Sequence, residues 1–317
     1  MIMKIQQFRN LFPDVQIARF NMAAWQKRDS DSIFFIGREV GEPGKNGEPD
    51  TGVLKLFEVN GDGSIAHERV IWKPMFEGIN LEDPRALELE SENLIIGLTA
   101  VLRDKNGNPI PFPAVIKIDS HSSWQHDLPP FLVISTFGPG KNITPIDRTT
   151  YFFRPDALEY QHKLLVFSIR RQVPEKMGEI EFPKDLSWAQ WRIGTTLPPL
   201  WVTPNEALFL IHGISLQEID GQQKYVYSLG RAKLTRHGNQ FSVVVAPEPI
   251  LTPDHFLLPD GTPMVSELHP DIRRVVYCCG GLVKKGSPDR LSLYVNVGDR
   301  TTFEVDYCLD ELKEGLF

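Results

Sequence analysis

The chain has 317 residues, with 34 Lys and Arg against 41 Asp and Glu, so its formal net charge is −7. Hydrophobic residues make up 41% of it and charged residues 24%, which is ordinary for a globular protein and argues against a disordered chain. Nucleic-acid binding requires clustered Lys and Arg to neutralise phosphates. An acidic chain without such clusters is therefore not expected to bind nucleic acid.

The sequence contains no segment that predicts insertion into a membrane or secretion. Its longest apolar runs, such as Leu94–Leu98 and Ala207–Ile211, are far shorter than the roughly 18–20 residues that span a bilayer. The first residues contain no uninterrupted apolar stretch of the kind found in signal peptides. Three cysteines, of which Cys278 and Cys279 are adjacent, do not make a disulfide framework. We therefore expect a cytoplasmic protein with no membrane partner.

Proline and glycine interrupt the chain at short intervals, since it contains 25 Pro and 24 Gly. The segments between them are rich in β-branched and aromatic residues, and Val53–Val59 alternates apolar with polar side chains, as a half-buried strand does. Glycines in Asn60–Gly63 predict a hairpin turn, and the polar stretches Gly41–Gly52 and Arg103–Pro113 predict loops. In chain order the predicted strands are Ser32–Val40, Val53–Val59, Leu94–Val101, Ala114–Ile118, Thr150–Phe153, Leu164–Ile169, Leu208–Ile214, Tyr225–Leu234, Phe241–Ala246, Arg274–Leu282, Leu291–Val297 and Phe303–Cys308.

Helical periodicity is nearly absent, and the best candidate for a helix is the short C-terminal segment Asp310–Leu316. Many short strands with frequent turns indicate a sandwich, a barrel or a propeller. Division of the 317 residues into five blades gives about 63 residues each, enough for four short strands. No sequence repeat is clear at that period. No stretch resembles an interdomain linker, so residues 1–317 are predicted to form a single domain.

The most pointed local motif is Asn80–Arg85, which places two carboxylates and a guanidinium within four positions around Pro84. Proline fixes the local backbone, so these charges would be presented rigidly just ahead of a strand. The alternative is a solvated Asp-Pro turn with a surface ion pair.

Basic and imidazole side chains near strand ends are further candidates. Arg170 and Arg171 should point to opposite faces, so that either one of them reaches an anion site or both are exposed. His212 ends an apolar strand and is either a packed, hydrogen-bonded residue or a functional one. No pair of His or Cys has the spacing of metal ligands, so no metal is expected. Nucleotide-binding glycine loops and the Gly-x-Ser-x-Gly motif are also absent.

A series of short motifs extends over nearly the whole chain in a fixed order. The most specific is Glu82-Asp-Pro-Arg85. The others are Asn21 after Arg-Phe, Ile36–Val40, Lys163–Arg170, Pro198-Pro199 ahead of His212-Gly213, Tyr227–Gly230, Pro247–Leu251, Tyr294 with Asp299, and Asp310–Leu312. In this order they resemble glycoside hydrolase family 130, whose members act on β-mannosides and include many phosphorylases.

The resemblance implies an all-β fold, a five-bladed β-propeller with a short C-terminal helix. It implies an inverting β-mannoside phosphorylase, which converts a mannoside and phosphate to mannose 1-phosphate and a shortened sugar. Asp83 is the implied general acid, acting by way of a sugar hydroxyl. The residues implied to bind phosphate or sugar are Asn21, Arg38, Arg85, Asn142, Arg170, His212, Tyr227 and Asp299. An oligosaccharide is the implied partner and inorganic phosphate the co-substrate. No cofactor is implied, and a homo-oligomer is allowed because such assemblies are common among relatives.

The chain departs from the family pattern just after Pro198-Pro199, where phosphorylases carry a lysine and this chain has Leu200–Thr203. Trp201 stands where the cation is expected, and its bulk would narrow the pocket if it lay in the site. Lys141, Arg154 or Arg171 could supply the missing charge. Phosphorolysis is nevertheless the preferred prediction, because the arginines of the family pattern are retained.

Three other functions stay open at this level. Glu267 stands in a segment that the family keeps mostly apolar, and it could be the base of an inverting β-mannosidase with Asp83 as the acid; Glu206 is a weaker candidate. In such an enzyme the two carboxyls lie about 6.5–9.5 Å apart. A non-catalytic carbohydrate-binding propeller is a further alternative, and so is a glycosyltransferase on the same scaffold.

Overall fold

A computed structural model describes residues 7–12, 17–26, 30–41, 52–74, 79–89, 93–119, 131–219, 221–258, 264 and 274–317. Within these residues the strands form five antiparallel sheets arranged around one axis, which is a five-bladed β-propeller. The predicted fold class is therefore confirmed. The helix α1 (Leu309–Lys313) follows the last strand, as predicted.

Each blade has at least four strands, numbered here along the chain. Strand β1 (Gln7–Asn10) belongs to blade five. Blade one contains β2 (Ala18–Trp25), β3 (Ile33–Val40), β4 (Val53–Val59) and β5 (Ile65–Trp72). Blade two contains β6 (Ile79–Glu88), β7 (Asn93–Arg103), β8 (Pro109–Asp119) and β9 (Leu132–Val133). Blade three contains β10 (Gly140–Pro145), β11 (Thr150–Pro155), β12 (Lys163–Arg170) and β13 (Val173–Glu181).

The remaining strands form blades four and five. Blade four contains β14 (Arg192–Thr195), β15 (Leu200–Trp201), β16 (Glu206–Ile219), β17 (Gln222–His237) and β18 (Gln240–Val245). Blade five contains β19 (Val276–Val283), β20 (Arg290–Val297) and β21 (Thr301–Cys308). Strand β1 is the outermost strand of blade five. It pairs with β21 in the register Gln7↔Asp306 to Asn10↔Phe303. The start of the described chain thus completes the last blade and closes the ring.

The apolar core lies in layers between consecutive blades, because each strand directs alternate side chains toward a neighbouring sheet. One buried cluster joins blades one and two, for example, and includes Ile36, Leu56 and Ile96. Another joins blades four and five through residues such as Leu210 and Leu293. This packing holds the blades as a rigid ring and leaves the polar side chains of the innermost strands facing the axis.

The innermost strands of blades one, two and three share a β-bulge at which the pairing register shifts. The bulged residues are Asn21, Asp83 and Asn142, with φ angles of 54°, 51° and 63°. Among residues other than glycine, Asn and Asp adopt this left-handed conformation most readily. Asn21 and Asp83 are 62 residues apart, and the neighbouring pair Glu82 and Lys141 are 59 apart. The blade-length repeat that the sequence did not show is present in these bulges.

Two predicted local features need correction. The motif Asn80–Arg85 is not a turn ahead of a strand but lies inside β6, where its charged residues are buried. The predicted loop Arg103–Pro113 is shorter, because β7 and β8 extend into it and leave residues 104–108 between them. Of the predicted loop Gly41–Gly52, residues 42–51 lie outside the described residues.

The axis opens into a cavity at each end. The rear cavity, of about 480 Å³, lies where the innermost strands end and is lined mainly by apolar groups, including Trp25, Pro198 and Leu282. The front cavity lies near the beginning of those strands and contains most of the predicted site residues. No helix among the described residues is long and apolar enough to cross a membrane.

We predict that Gly280→Ala destabilises the junction between blades five and one. A Cβ at Gly280 would lie 2.3 Å from the backbone oxygen of Met22 and 2.7 Å from the backbone nitrogen of Ala24, so one strand must move. Overpacking of this kind costs about 1–3 kcal/mol, measurable by urea unfolding. Gly178→Ala is the matched control, because a Cβ there meets nothing within 4 Å. Equal stability of the two variants would contradict the close approach of these blades.

Candidate active site

The front cavity has a volume of about 310 Å³ and is walled by side chains from all five blades. Seven of the predicted site residues line it: Asn21, Arg38, Asp83, Asn142, His212, Tyr227 and Asp299. Additional lining residues are Glu82, Lys141, Arg154, Tyr225, Val275 and Tyr277. The β-bulges explain the density of polar groups, because a bulge can direct consecutive side chains to the same side. Glu82 and Asp83 form one such pair in the cavity wall, and Lys141 and Asn142 form another.

Asp83, the predicted general acid, is held by a neutral donor. Its Oδ1 accepts a hydrogen bond of 2.6 Å from Nδ2 of Asn21, across the junction of blades one and two. Both side chains are buried, with 9% of Asp83 and 5% of Asn21 exposed. Within the described residues, Oδ1 of Asn21 is a buried acceptor with no hydrogen-bond partner. The pair thus fixes one carboxyl oxygen of Asp83 and leaves an acceptor beside it for a ligand hydroxyl.

Glu82 is the counter-ion of two cations in the cavity. Its carboxylate lies 3.5 Å from Nη2 of Arg38 and 3.4 Å from Nζ of Lys141, and it accepts a hydrogen bond of 3.1 Å from Asn80. Burial alone would raise the pKa of Glu82, but Arg38 and Lys141 outweigh burial and hold that pKa below its usual value. Glu82 in turn raises the pKa of Lys141. Glu82 is therefore a carboxylate at neutral pH and unsuited to donate a proton.

Arg154, on β11, brings a third cation into the cavity. It is 6% exposed, and its Nη2 lies 3.8 Å from Oδ1 of Asp156. Among the described residues its buried Nε–H has no acceptor. A buried guanidinium is costly to leave unsatisfied, and its planar fork of donors suits a phosphate or a carboxylate. Arg154 is thus the cation of the cavity best placed to bind an anion.

His212 is neutral and has one defined tautomer. Its Nδ1 lies 3.1 Å from the carbonyl oxygen of Thr195, which can only accept, so Nδ1 carries the hydrogen and Nε2 has the lone pair. Nε2 lies 3.4 Å from Nδ2 of Asn142. Burial and then the nearby Arg154 and Arg85 lower the pKa of His212 well below its usual value. His212 therefore acts as a hydrogen-bond acceptor and contributes no positive charge.

Arg85 does not line the cavity but lies beneath its floor, with none of its surface exposed. Its guanidinium donates to the backbone oxygen of Asp83 at 2.8 Å, to Oδ1 of Asn142 at 3.0 Å, and to the hydroxyl of Tyr277. The Tyr277 hydroxyl donates to Oδ1 of Asn142 at 2.8 Å. The predicted direct contact of Arg85 with phosphate or sugar is thus corrected. Arg85 orients the residues that form the floor.

Arg170 is not brought into the site. Strand β12 runs away from the front cavity: the register Phe153↔Leu165 places Arg154 near its beginning, whereas Arg170 lies at its far end. Arg170 is six residues along β12 from the position beside Arg154, which corresponds to ~20 Å at about 3.3 Å per residue of extended strand. Arg170 and Arg171 are both exposed, as one sequence interpretation held. Proximity to Arg38 and His212, which the resemblance implied for Arg170, is therefore wrong.

Trp201, the three suggested replacement cations and Glu267 are the other positions that the sequence analysis singled out. Trp201 packs against the apolar cluster between blades three and four and does not line the front cavity, so it does not narrow the pocket. Of the three suggested replacement cations, Lys141 and Arg154 line the cavity and Arg171 does not. Glu267, the proposed base of a hydrolase, lies outside the described residues, and its role stays a prediction.

Sequence reasoning did not assign Glu82, Tyr225 or Tyr277 to the site. Glu82 was part of the recognised motif, but strand alternation would direct it away from Asp83. Tyr227 was predicted to belong to the site. Tyr225 is two residues before it on β17, so strand alternation places both side chains on the same face. Tyr277 stands beside two apolar cysteines in a strand that reads as core. Tyr277 is placed in the site by its hydrogen bond with Arg85, and no sequence motif around Tyr277 predicts that contact.

Comparisons with known proteins support the fold. No protein-family model matches the chain, and no curated protein matches it. A β-1,2-mannobiose phosphorylase from Listeria innocua has a similar structure, with a TM-score of 0.62 and 15% identity over 98% of this chain and 93% of that one. A GDP-mannose-dependent mannosyltransferase from Leishmania mexicana has a TM-score of 0.59, with 16% identity over 98% and 92% of the two chains.

A structure of glycoside hydrolase family 130, associated with hydrolases that target β-1,2-mannosidic linkages in Candida mannan, is also similar. Its TM-score is 0.58, with 15% identity over 93% of this chain and 85% of that one. Structural neighbours from glycoside hydrolase family 130 thus agree with the resemblance seen in the sequence. At these identities they establish that this chain shares the five-bladed fold.

We predict that Arg85→Met strongly destabilises the protein. The substitution leaves the buried oxygens of Asp83, Asn142 and Tyr277 without their common charged donor, which should cost roughly 3 kcal/mol or more. Urea unfolding measures the difference. Arg170→Met is the control, because an exposed arginine at a hairpin end should change stability by about 0.5 kcal/mol or less. Similar losses in both variants would contradict the role of Arg85.

We also predict a pH-dependent effect of Glu82→Gln on stability. Because the pKa of Glu82 is lowered in the folded state, its stabilising charge is fully present above the usual glutamate value of 4.5 and is lost as the pH falls through the folded pKa. Melting temperatures should therefore differ between wild type and variant at pH 7 and converge in acid. The exposed Glu218→Gln serves as control. A difference independent of pH would show that Glu82 is not held as a carboxylate.

Proposed function

We propose that this protein is a carbohydrate-active enzyme that transfers the mannosyl group of a β-mannoside to inorganic phosphate with inversion at the anomeric carbon. The observation that carries the proposal is the presence of Asp83 and the buried guanidinium of Arg154 in one cavity. Asp83 can protonate the leaving oxygen, and Arg154 can hold an anionic nucleophile.

The two adjacent carboxyl groups support separate roles. Glu82 is held ionised by Arg38 and Lys141, whereas the direct hydrogen-bond partner of Asp83 is the neutral amide of Asn21. Two neighbouring carboxyls in different environments are typical of sites that keep one as an acid. We assign Asp83 as the general acid, while Glu82 keeps the cations of the cavity in place.

The balance of charge in the cavity supports an anionic co-substrate. Arg38, Lys141 and Arg154 supply three positive charges, and the cavity's carboxyls belong to Glu82, Asp83 and Asp299. Arg38 and Lys141 share the carboxylate of Glu82, so an anion beside Arg154 would be held by a cation that Glu82 does not neutralise. The buried Nε–H of Arg154, for which the described residues supply no acceptor, can donate directly to a phosphate oxygen.

The reaction then balances without a protein base. A phosphate oxygen forms a bond to the anomeric carbon while the bond from that carbon to the glycosidic oxygen breaks. The bonding electrons pass to the leaving oxygen, which receives the proton of Asp83, directly or by way of a sugar hydroxyl. The proton of the hydrogenphosphate can later restore Asp83. The products are mannose 1-phosphate and the shortened sugar.

The structural neighbours support mannose as the sugar. The Listeria innocua enzyme is a mannobiose phosphorylase and the Leishmania mexicana enzyme is a mannosyltransferase. Both handle a mannosyl group on the fold that this chain shares. We infer an oligosaccharide containing β-linked mannose as the substrate of this protein.

We predict phosphate-dependent breakdown of β-mannosides that requires Asp83. Purified protein incubated with a panel of β-linked mannobioses should release mannose 1-phosphate when phosphate is present and show little cleavage without it. Asp83→Asn should lower kcat about 10²–10⁴-fold, because general acid catalysis contributes that much. Asparagine also tolerates the left-handed backbone at this position, so the fold should persist.

Controls separate the alternatives. Arg170→Met should retain wild-type activity because Arg170 is far from the cavity, while Arg154→Met should raise the KM for phosphate. Equal cleavage with and without phosphate would exclude phosphorolysis and favour a hydrolase. Binding of mannosides with no turnover under either condition would favour a non-catalytic propeller.

A further inference from the structure

The hairpin of β16 and β17 projects past the level of the front cavity. Its pairing passes through Ile214↔Tyr227 and continues for five more residues, to Ile219↔Gln222. The neighbouring inner strand β14 begins at Arg192, which pairs with Ile214. The hairpin therefore extends ~17 Å beyond that strand, at about 3.4 Å per residue. This extended part of the β16–β17 hairpin forms a wall on one side of the cavity mouth.

An aromatic pair stands at the base of this wall. Tyr225 lines the cavity and is 49% exposed. Its ring centroid lies 5.9 Å from that of Trp191, with the two planes tilted by 45°. Tyr225 and Tyr227 are two residues apart on β17 and so share a face, and Tyr227 lies over His212 with their planes 21° apart. The aromatic residues thus continue from the cavity interior to its rim.

Core packing does not account for this pair. Neither Tyr225 nor Trp191 belongs to a buried apolar cluster among the described residues, whereas the deeper Tyr227 packs against one. An isolated exposed tyrosine needs no explanation. A half-exposed ring that lines a polar cavity and is backed by a tryptophan is a surface suited to a ligand with one apolar face.

We propose that Tyr225, supported from behind by Trp191, forms a subsite for the second sugar ring of the substrate, the ring that leaves when the mannosyl group is transferred. The inference rests on the proposed function and specifies its substrate as a saccharide of at least two rings. The front cavity, at about 310 Å³, is at the lower limit of small-molecule sites. Once it holds a mannosyl ring and an anion, the leaving sugar must lie at the rim.

The chemistry of the rim fits a pyranose. The C–H groups on one face of a sugar ring pack on an aromatic plane, and its hydroxyls point outward to polar groups. Lys141, whose side chain is 37% exposed, lines the same cavity and can donate to such hydroxyls. The aromatic pair would therefore distinguish a disaccharide from a monosaccharide, while the interior groups would bind both.

The test compares wild type, Tyr225→Ala and Tyr225→Phe in binding titrations with mannose and with β-linked mannobioses, alongside kinetics with phosphate. Tyr225→Ala should weaken mannobiose binding about tenfold and leave mannose binding and the KM for phosphate unchanged. Tyr225→Phe keeps the ring and should bind mannobiose within about twofold of wild type. Leu158→Ala, at an exposed apolar residue of blade three, is the control for surface changes.

The outcomes separate this inference from the proposed function. Unchanged mannobiose affinity in Tyr225→Ala overturns the subsite, and so does an equal loss for mannose and mannobiose, because the ring would then not be specific to the second sugar. If wild-type protein binds no mannoside at all, the proposed function fails and the subsite fails with it. A loss confined to mannobiose, restored by Tyr225→Phe, supports the subsite.

Discussion

The guanidinium of Arg85 is the contact on which the front cavity depends. From blade two it reaches Asn142 of blade three, the backbone oxygen of Thr195 in blade four and Tyr277 of blade five. The neighbouring Asp83 completes the ring of contacts through Asn21 of blade one. One buried cation thus links blades two to five directly and blade one through Asp83, in addition to the apolar packing and the ion pairs of Glu82. Because each contact is a hydrogen bond with defined direction, it also fixes which atom of each amide faces the cavity.

Sequence patterns predicted the strands that carry Arg38, His212 and Tyr227 but missed most of the innermost strands of the blades, including those of Asn21, Asp83 and Asn142. Val53–Val59 was predicted with its observed bounds, but β2, β6, β10 and β14 were not predicted at all. Three of these carry a β-bulge with Asn or Asp in a left-handed conformation, and such residues read as turns in a sequence. The bulge gives the site its geometry, and its turn-like residues also prevent the strand from being recognised in the sequence. The most informative sequence signals were therefore the ones that contradicted regular secondary structure.

The order of motifs along the chain predicted the position of the anion-binding arginine less well than the pairing register of the strands. The family resemblance directed attention to Arg170, yet the buried guanidinium belongs to Arg154 on the adjacent strand. Antiparallel neighbours run in opposite directions, so two arginines at the ends of consecutive strands reach opposite faces of a propeller. Sequence could name the types of residue needed, whereas only the paired strands could show which arginine shares the cavity with Asp83. The neutral tautomer of His212 likewise depends on Thr195, a partner that no motif contains.

The pairing of β1 with β21 has a consequence for how the molecule is made. During translation β1 leaves the ribosome long before β21, so the four blades between them can assemble while the ring is still open. Contacts of such long sequence separation slow folding, since a large loop must close before they form. An incomplete circle would leave the edge of β21 exposed to other chains. The ring of this protein is therefore complete only after β21 has been made and β1 has paired with it.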